Sequence, residues 1–289
     1  MKISFLILLI ATSLNLFGQH HKTLKAHEDT LIQLLMETRA EVDFKKAFIV
    51  NNKFEAHLRK VLRYDQAFTF AFDSLPKMMS TITYPDKTFR IFNWNIEKDK
   101  EEQFYCCLIM KFNQKKEEYV TLKLFDKSAA AFDPEYLSYS SHNWYGALYY
   151  SIIPIKKGNS TIYTLLGWDG NNQYSNKKII ESMEFHKKDE IKFGLPIFNY
   201  GDNRSKRRVI FQYNKNSYMS LKHTQNKKQE LIIFDHLSPK APQLEGMRDW
   251  YVTDLTFDAF KLENNKWKFI KDIDIRTFLP NKNTPYNTP

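Results

Sequence analysis

Asp235 and His236 stand directly after the apolar run Leu231 to Phe234, and Glu245, Asp249, Asp254 and Asp258 follow downstream. An imidazole among carboxylates has two chemical uses. It can carry a proton near neutral pH, or it can share a divalent cation with oxygen ligands. A second polar group, Trp168-Asp169-Gly170-Asn171-Asn172, ends the apolar run Ile162 to Leu166. There Asp169, Asn171 and Gln173 alternate as the first oxygen ligands of a calcium loop do. The twelfth position, however, is Ile180 rather than a bidentate glutamate. The plainer alternative is a turn whose polar side chains bond their own backbone. Trp94, Trp144, Tyr145, Tyr149, Tyr150 and Trp168 are placed near strand ends or loops. Aromatic faces beside Asn and Asp bind sugars by stacking and hydrogen bonding, although a large β domain also fills its core with such rings. The candidate binding residues are therefore Trp144, Tyr145, Trp168, Asp169, Asn171, Asn172, Asp235 and His236. No residue is assigned a catalytic or metal-ligating role, and no cofactor is expected.

Other chemistries lack their motifs. No glycine-rich phosphate loop, Gly-x-Ser-x-Gly elbow, His-Glu-x-x-His or Cys-x-x-Cys occurs. The two cysteines, Cys106 and Cys107, are neighbours on a strand-like run, so they point to opposite faces and read as core filling rather than as a disulfide or a nucleophile.

The elements that must position these residues follow from hydrophobic period. Leu24, Leu31, Leu35 and Thr38 share one helical face, and Phe44, Ala47, Phe48, Phe54, Leu58, Val61 and Leu62 share another. Both stripes predict helices that dock on the domain's own sheet. From Ala67 the period becomes two. Phe89 to Ile96, Phe104 to Phe112 and Tyr119 to Phe125 predict a meander, and Leu148 to Ile155 with Ile162 to Leu166 a further pair. Ser175 followed by Lys177 to Met183 reads as a short capped helix. Val209 to Tyr213, Tyr218 to Leu221 and Leu231 to Phe234 predict a second meander. The last hairpin, Phe257 to Leu262 and Trp267 to Ile270, turns at Asn264-Asn265, a pair that tolerates positive φ. Hairpin links without βαβ alternation predict a mainly β fold with N-terminal helices, an α+β chain whose antiparallel meanders form a sandwich or partly closed barrel. The expected organisation is a signal peptide over 1–19, a helical segment over 20–66 docked on the main domain, a β-rich domain over 67–279 and a loose tail over 280–289.

Export rests on Lys2, the apolar stretch Ile3 to Ala11 prolonged by Leu14 to Phe17, and a cut near Gly18 or Gln19. The apolar stretch is shorter than the ~20 residues of a spanning helix, so a periplasmic or secreted protein is expected, with no transmembrane segment after cleavage. The net charge of +10 ordinarily points to nucleic acid. Export and the scatter of lysines over turn tips argue against that partner. The densest basic run, Arg204, Lys206, Arg207 and Arg208, reads as a solvated edge, with an acidic-glycan or lipopolysaccharide contact as the alternative.

The segments Phe89 to Trp94, Trp144 to Tyr150, Leu165 to Asn172 and Ile233 to Leu237 resemble those of uncharacterised exported bacterial proteins. The resemblance implies export and one integrated domain. It carries no catalytic residues. A place in the bacterial envelope is a separate expectation. The expected function is a non-enzymatic exported module that binds a glycan, an envelope component or a protein partner. The alternative is a secreted or periplasmic hydrolase that uses the Asp and His residues of the two loops, with or without a divalent metal.

Overall fold

The computed structural model describes residues 22–158, 160–201, 204–225 and 229–277. The segment expected to be a signal peptide, the expected 226–228 turn and the tail from Pro280 lie outside the described residues. The chain divides into two compact units, 1–128 with 141–148 and 129–140 with 149–289.

The first unit opens with helix α1, residues 22–40, and α2, Phe44–Val61, which Asp43 caps by accepting the Lys46 N–H at 2.9 Å. An antiparallel meander follows in the order β1 (Ser80–Thr83), β2 (Phe89–Glu97), β3 (Gln103–Asn113) and β4 (Glu118–Phe125). The apolar stripes of both helices bury themselves, as their period requires, on the sheet face that carries Phe92, Trp94, Ile96, Cys106, Leu108 and Met110. Trp94 donates its indole N–H to Asn51 Oδ1 of α2 at 2.7 Å, which satisfies two polar groups inside that contact.

The second unit is a pair of packed sheets. One runs β5 (Tyr139–Ser140), β9 (Ile191–Phe193), β8 (Ser175–Phe185), β7 (Ser160–Asp169), β6 (Leu148–Lys157), with β11 (Arg208–Asn214) also on β8. The other runs β10 (Phe198–Asn199), β15 (Lys266–Ile270), β14 (Tyr251–Glu263), β13 (Glu230–Pro239), β12 (Leu221–Gln225). Leu166, Ile180, Val209 and Tyr213 of the first sheet meet Ile232, Phe234, Phe260 and Trp267 of the second in one core. Trp267 donates to Thr164 Oγ1 across it at 2.8 Å. The β14–β15 turn at Asn264-Asn265 takes positive φ at both residues, as that pair predicts. Among the described strand pairs with a register, all are antiparallel except β10 with β15. The fold is mainly β with N-terminal helices and antiparallel sheets, and the sheets do not close into a barrel.

Two expectations are corrected. Residues 175–185 form strand β8, not a helix. β8 pairs with β7 on one edge and with β11 and β9 on the other, and Ile179, Ile180, Glu181 and Ser182 are all buried. A strand covered on both faces shows no alternation, and over so short a run it cannot be told from a helix by period. Nor do β11, β12 and β13 form a meander. Asn214 turns the chain as expected, with Ser217 N–H donating to its carbonyl at 3.0 Å, but the connection then crosses to the other sheet.

Candidate functional site

Trp168 and Asp169 end β7, and neighbouring strand residues point to opposite faces. Trp168 pairs with Lys178 on the inner face that holds Leu166 and Ile180. Asp169 pairs with Lys177 on the outer face. One ligand cannot use both. Asp169 is buried, accepts the Asn171 N–H at 2.8 Å and lies 3.5 Å from the Lys177 ammonium. Asn171, at φ +44°, donates to Ser175 Oγ at 2.8 Å, and Asn172 Oδ1 accepts from the N–H groups of Tyr174 and Ser175 at 2.9 and 3.2 Å. These side chains are spent on their own hairpin connector, which is the turn chemistry of Asx residues.

The second polar group is better placed for chemistry. Between the pairs Asp235–Phe257 and Leu237–Thr253 the register shifts. His236 alone on β13 faces Asp254, Leu255 and Thr256 on β14, so the bulge lies on β14, with Leu255 at φ +70°, and brings Asp254 opposite the imidazole. His236 Nδ1 lies 2.7 Å from Asp258 Oδ2, and the buried Asp258 accepts the Asp272 N–H on its other oxygen at 3.0 Å. Nε2, on the far side of the ring, is 3.9 Å from Asp254 Oδ2. Burial disfavours the Asp254 carboxylate, but the hydroxyl and N–H of Thr256 outweigh it and hold the group below the usual range. A carboxylate only accepts, so the Asp258 contact orients the ring with Nδ1–H toward Asp258 and Nε2 on the opposite side. Asp235 turns elsewhere. It accepts the Ser220 N–H at 2.7 Å, and burial pushes its carboxyl above the usual range. Asp249 accepts from Gln212 at 2.6 Å and is not part of the group. Among the described residues no three His, Cys, Asp or Glu side chains are placed to hold a metal ion.

Trp144 and Tyr145 are 0 % and 5 % exposed. Trp144 is tied by its backbone to Phe125 and Lys127, at 3.0 and 2.9 Å, and neither ring offers a face to a ligand. The next residue, Gly146, is packed so closely that a Cβ would meet Asp126 and Tyr105 at 2.6–2.7 Å.

The aromatic group that does converge is one the sequence only half reveals. Trp168 on β7 and Tyr213 on β11, two strands away, share the inner face. Tyr150 donates to the Leu221 carbonyl at 2.9 Å, and the Lys178 ammonium lies 4.9 Å from the centre of its ring. Tyr218 completes the rim at 74 % exposed, with Tyr150 at 42 %. Burial raises the Tyr150 phenol, raises that of Tyr213 to about 12, and pulls the Lys178 ammonium down. A lysine set against aromatic faces with one wet edge can hold a polar ligand that also presents an apolar face. Tyr150 and Trp168 are visible in the sequence as aromatics at strand ends. Lys178, Tyr213 and Tyr218 join them only through strand pairing.

Cys106 and Cys107 are both buried and free, on opposite faces of β3. Cys106 borders a cleft of about 240 Å³ between α2 and the sheet. Burial raises its thiol to about 12, so it is no nucleophile at neutral pH. The basic run is a solvated edge, as expected, only at Arg204, whose side chain is 67 % exposed. Arg208 is fully buried against Glu181, Lys206 pairs with Glu135 at 2.9 Å, and Arg207 donates to the Gly194 carbonyl at 3.1 Å. No helix among the described residues is long and apolar enough to cross a membrane. Compared with protein-family models, with curated proteins and with solved structures, the chain has no match.

Proposed function

We propose that the protein is an exported, non-enzymatic binding module that takes a glycan, or a glycan-bearing envelope component, on the rim formed by Tyr150, Trp168, Tyr213 and Tyr218 with Lys178. The observation that carries this reading is the convergence of these side chains at one end of the second unit's core, with Tyr218 and Tyr150 partly in solvent. Sugar rings stack on such faces, and an ammonium in an apolar setting favours a saccharide that carries an acidic group. Export rests on the apolar N-terminal stretch of the sequence. Titration of the intact protein with neutral and uronate-containing oligosaccharides, followed by tryptophan fluorescence, tests the reading. Tyr218→Ala should weaken binding by roughly threefold to tenfold, the worth of one aromatic contact, and Lys178→Met should act on the acidic sugars alone. Equal binding by the wild type and Tyr218→Ala, or no binding of any saccharide, would sink it.

A second reading has one specific observation in its favour, the His236 ring held by buried Asp258 with Nε2 turned outward. It makes the protein a hydrolase with His236 as general base, with or without a divalent ion. Chromogenic ester, glycoside and phosphate substrates, each with and without added divalent metal, should then show turnover that His236→Gln abolishes. Turnover that survives His236→Gln would reject this role.

A further inference from the structure

Arg90 is out of character for its place. It stands on the helix-facing side of β2, opposite Met110, and is 4 % exposed. Its guanidinium lies against the rings of Phe72 and Phe92, 5.1 and 4.9 Å from their centres. Nη1 donates to the carbonyls of Ala67, Phe68 and Phe70 at 3.2, 3.3 and 2.6 Å. The buried Nε has no hydrogen-bond partner. Burial lowers its pKa to about 10, so the group stays cationic at neutral pH. Carbonyls and ring faces offset part of the cost of burying this charge. They are not a counter-ion.

The same arginine lines a cleft of about 400 Å³, together with Phe68, Phe70, Pro76, Thr81, Thr83 and Lys87. None of the lining residues is acidic and two are cationic. An arginine that served only to clamp the segment Ala67 to Phe70 would need Nη1 alone, and would gain from a carboxylate beside it.

We infer that this cleft binds an oxyanion, a carboxylate or phosphate borne on a small organic body, with Arg90 as its counter-charge and Lys87 as a second cation at the mouth. The threonine hydroxyls supply neutral donors, and Phe68, Phe70 and Pro76 form an apolar wall for the body. The planar, always-charged guanidinium suits both anions. The site belongs to the first unit and stands independently of the aromatic rim in the second.

The test is calorimetric titration of the full chain with inorganic phosphate, acetate, glucose 6-phosphate and glucuronate, with glucose as the neutral control. The Arg90 Nε–H resonance is followed in parallel. Saturable binding of the anions, weakened by salt and absent for glucose, is expected, and the tighter of glucose 6-phosphate and glucuronate identifies the anion. Lys87→Gln should weaken it by roughly threefold to fivefold, as for an exposed charge contact. Arg90→Gln should abolish it. Because Arg90→Gln also removes the clamp on three carbonyls, its melting temperature is read alongside. The exposed Lys87→Gln variant keeps the test decisive if Arg90→Gln does not fold. Failure of every anion to bind, or binding that leaves the Arg90 resonance unmoved and is indifferent to Lys87→Gln, overturns the inference.

Discussion

His27 and His57 hold each other across the two helices, Nδ1 of one 3.1 Å from Nε2 of the other. That contact needs at least one neutral ring, since two imidazoliums would present only donors. Burial lowers both pKa values, and for His57 the neighbouring His27 and Lys60 lower it further. A histidine whose folded pKa lies below its unfolded value stabilises the fold above about 6.5 and loses that contribution as pH falls through the folded pKa. Glu28 works in a lower window. Its Oε1 accepts the N–H groups of Ser74 and Leu75 at 2.7 and 2.9 Å. Burial opposes its ionisation but these bonds and Lys25 prevail, so its contribution is lost only below about 4.5. The window just below pH 6.5 therefore reports the histidines. Melting temperature should fall more steeply from pH 7 to 5.5 in the wild type than in the His27→Gln/His57→Gln double variant. Both rings are partly in solvent, so the difference should be under about 1 kcal/mol. Parallel curves would mean that the pair carries no linkage. Neither residue stood out in the sequence, because they come together only when two helices pack.

At the scale of elements, sequence pattern was informative wherever one face is apolar and the other is not. The stripe from Ala47 to Leu62, and the alternation of Cys106, Leu108 and Met110, each name a core face that the structure buries. Pattern failed at β8, where Ile179 and Ile180 are both buried and nothing alternates. It failed again at β11, because the turn at Asn214 is the same chemistry whether the next strand joins the same sheet or crosses to the other. These misses decided how much of the site could be read. Trp168 is visible in the sequence, but Lys178 falls in a run that reads as a helix, so its place opposite Trp168 emerges only from the β7–β8 pairing. Asp169, one residue away, looked like a partner of Trp168, yet strand geometry sends it to the other face. The Asp235-His236 pair was visible too, whereas Asp258 comes to the ring through the pairing of β13 with β14.

For the whole molecule, the chain passes between the two units three times, after Ser128, Ser140 and Leu148. The second unit is therefore not a continuous stretch, and residues 129–140 must reach it before the rest of its sequence. That short segment is held by charge more than by apolar area. Glu135 takes the Lys206 ammonium on both oxygens at 2.9 Å and the Ile210 N–H at 3.1 Å, while its carbonyl accepts the Arg207 N–H at 2.8 Å. Next to it the Pro134 carbonyl accepts from Arg208, whose guanidinium is buried against Glu181. A buried ion pair adds little when complete, but removing its surroundings is costly, because polar groups are left desolvated without partners. Glu135→Ala takes away the acceptor for an ammonium and for a strand N–H at once. It should lower unfolding stability by about 2 kcal/mol, read as a shift in the denaturant midpoint of the full chain. Glu118→Ala, which removes only an exposed pair with Lys116 at 3.6 Å, should change it by under about 0.5 kcal/mol. Equal midpoints for the two variants would mean that Glu135 does not hold the segment, and that the apolar side chains of 129–140 do so instead.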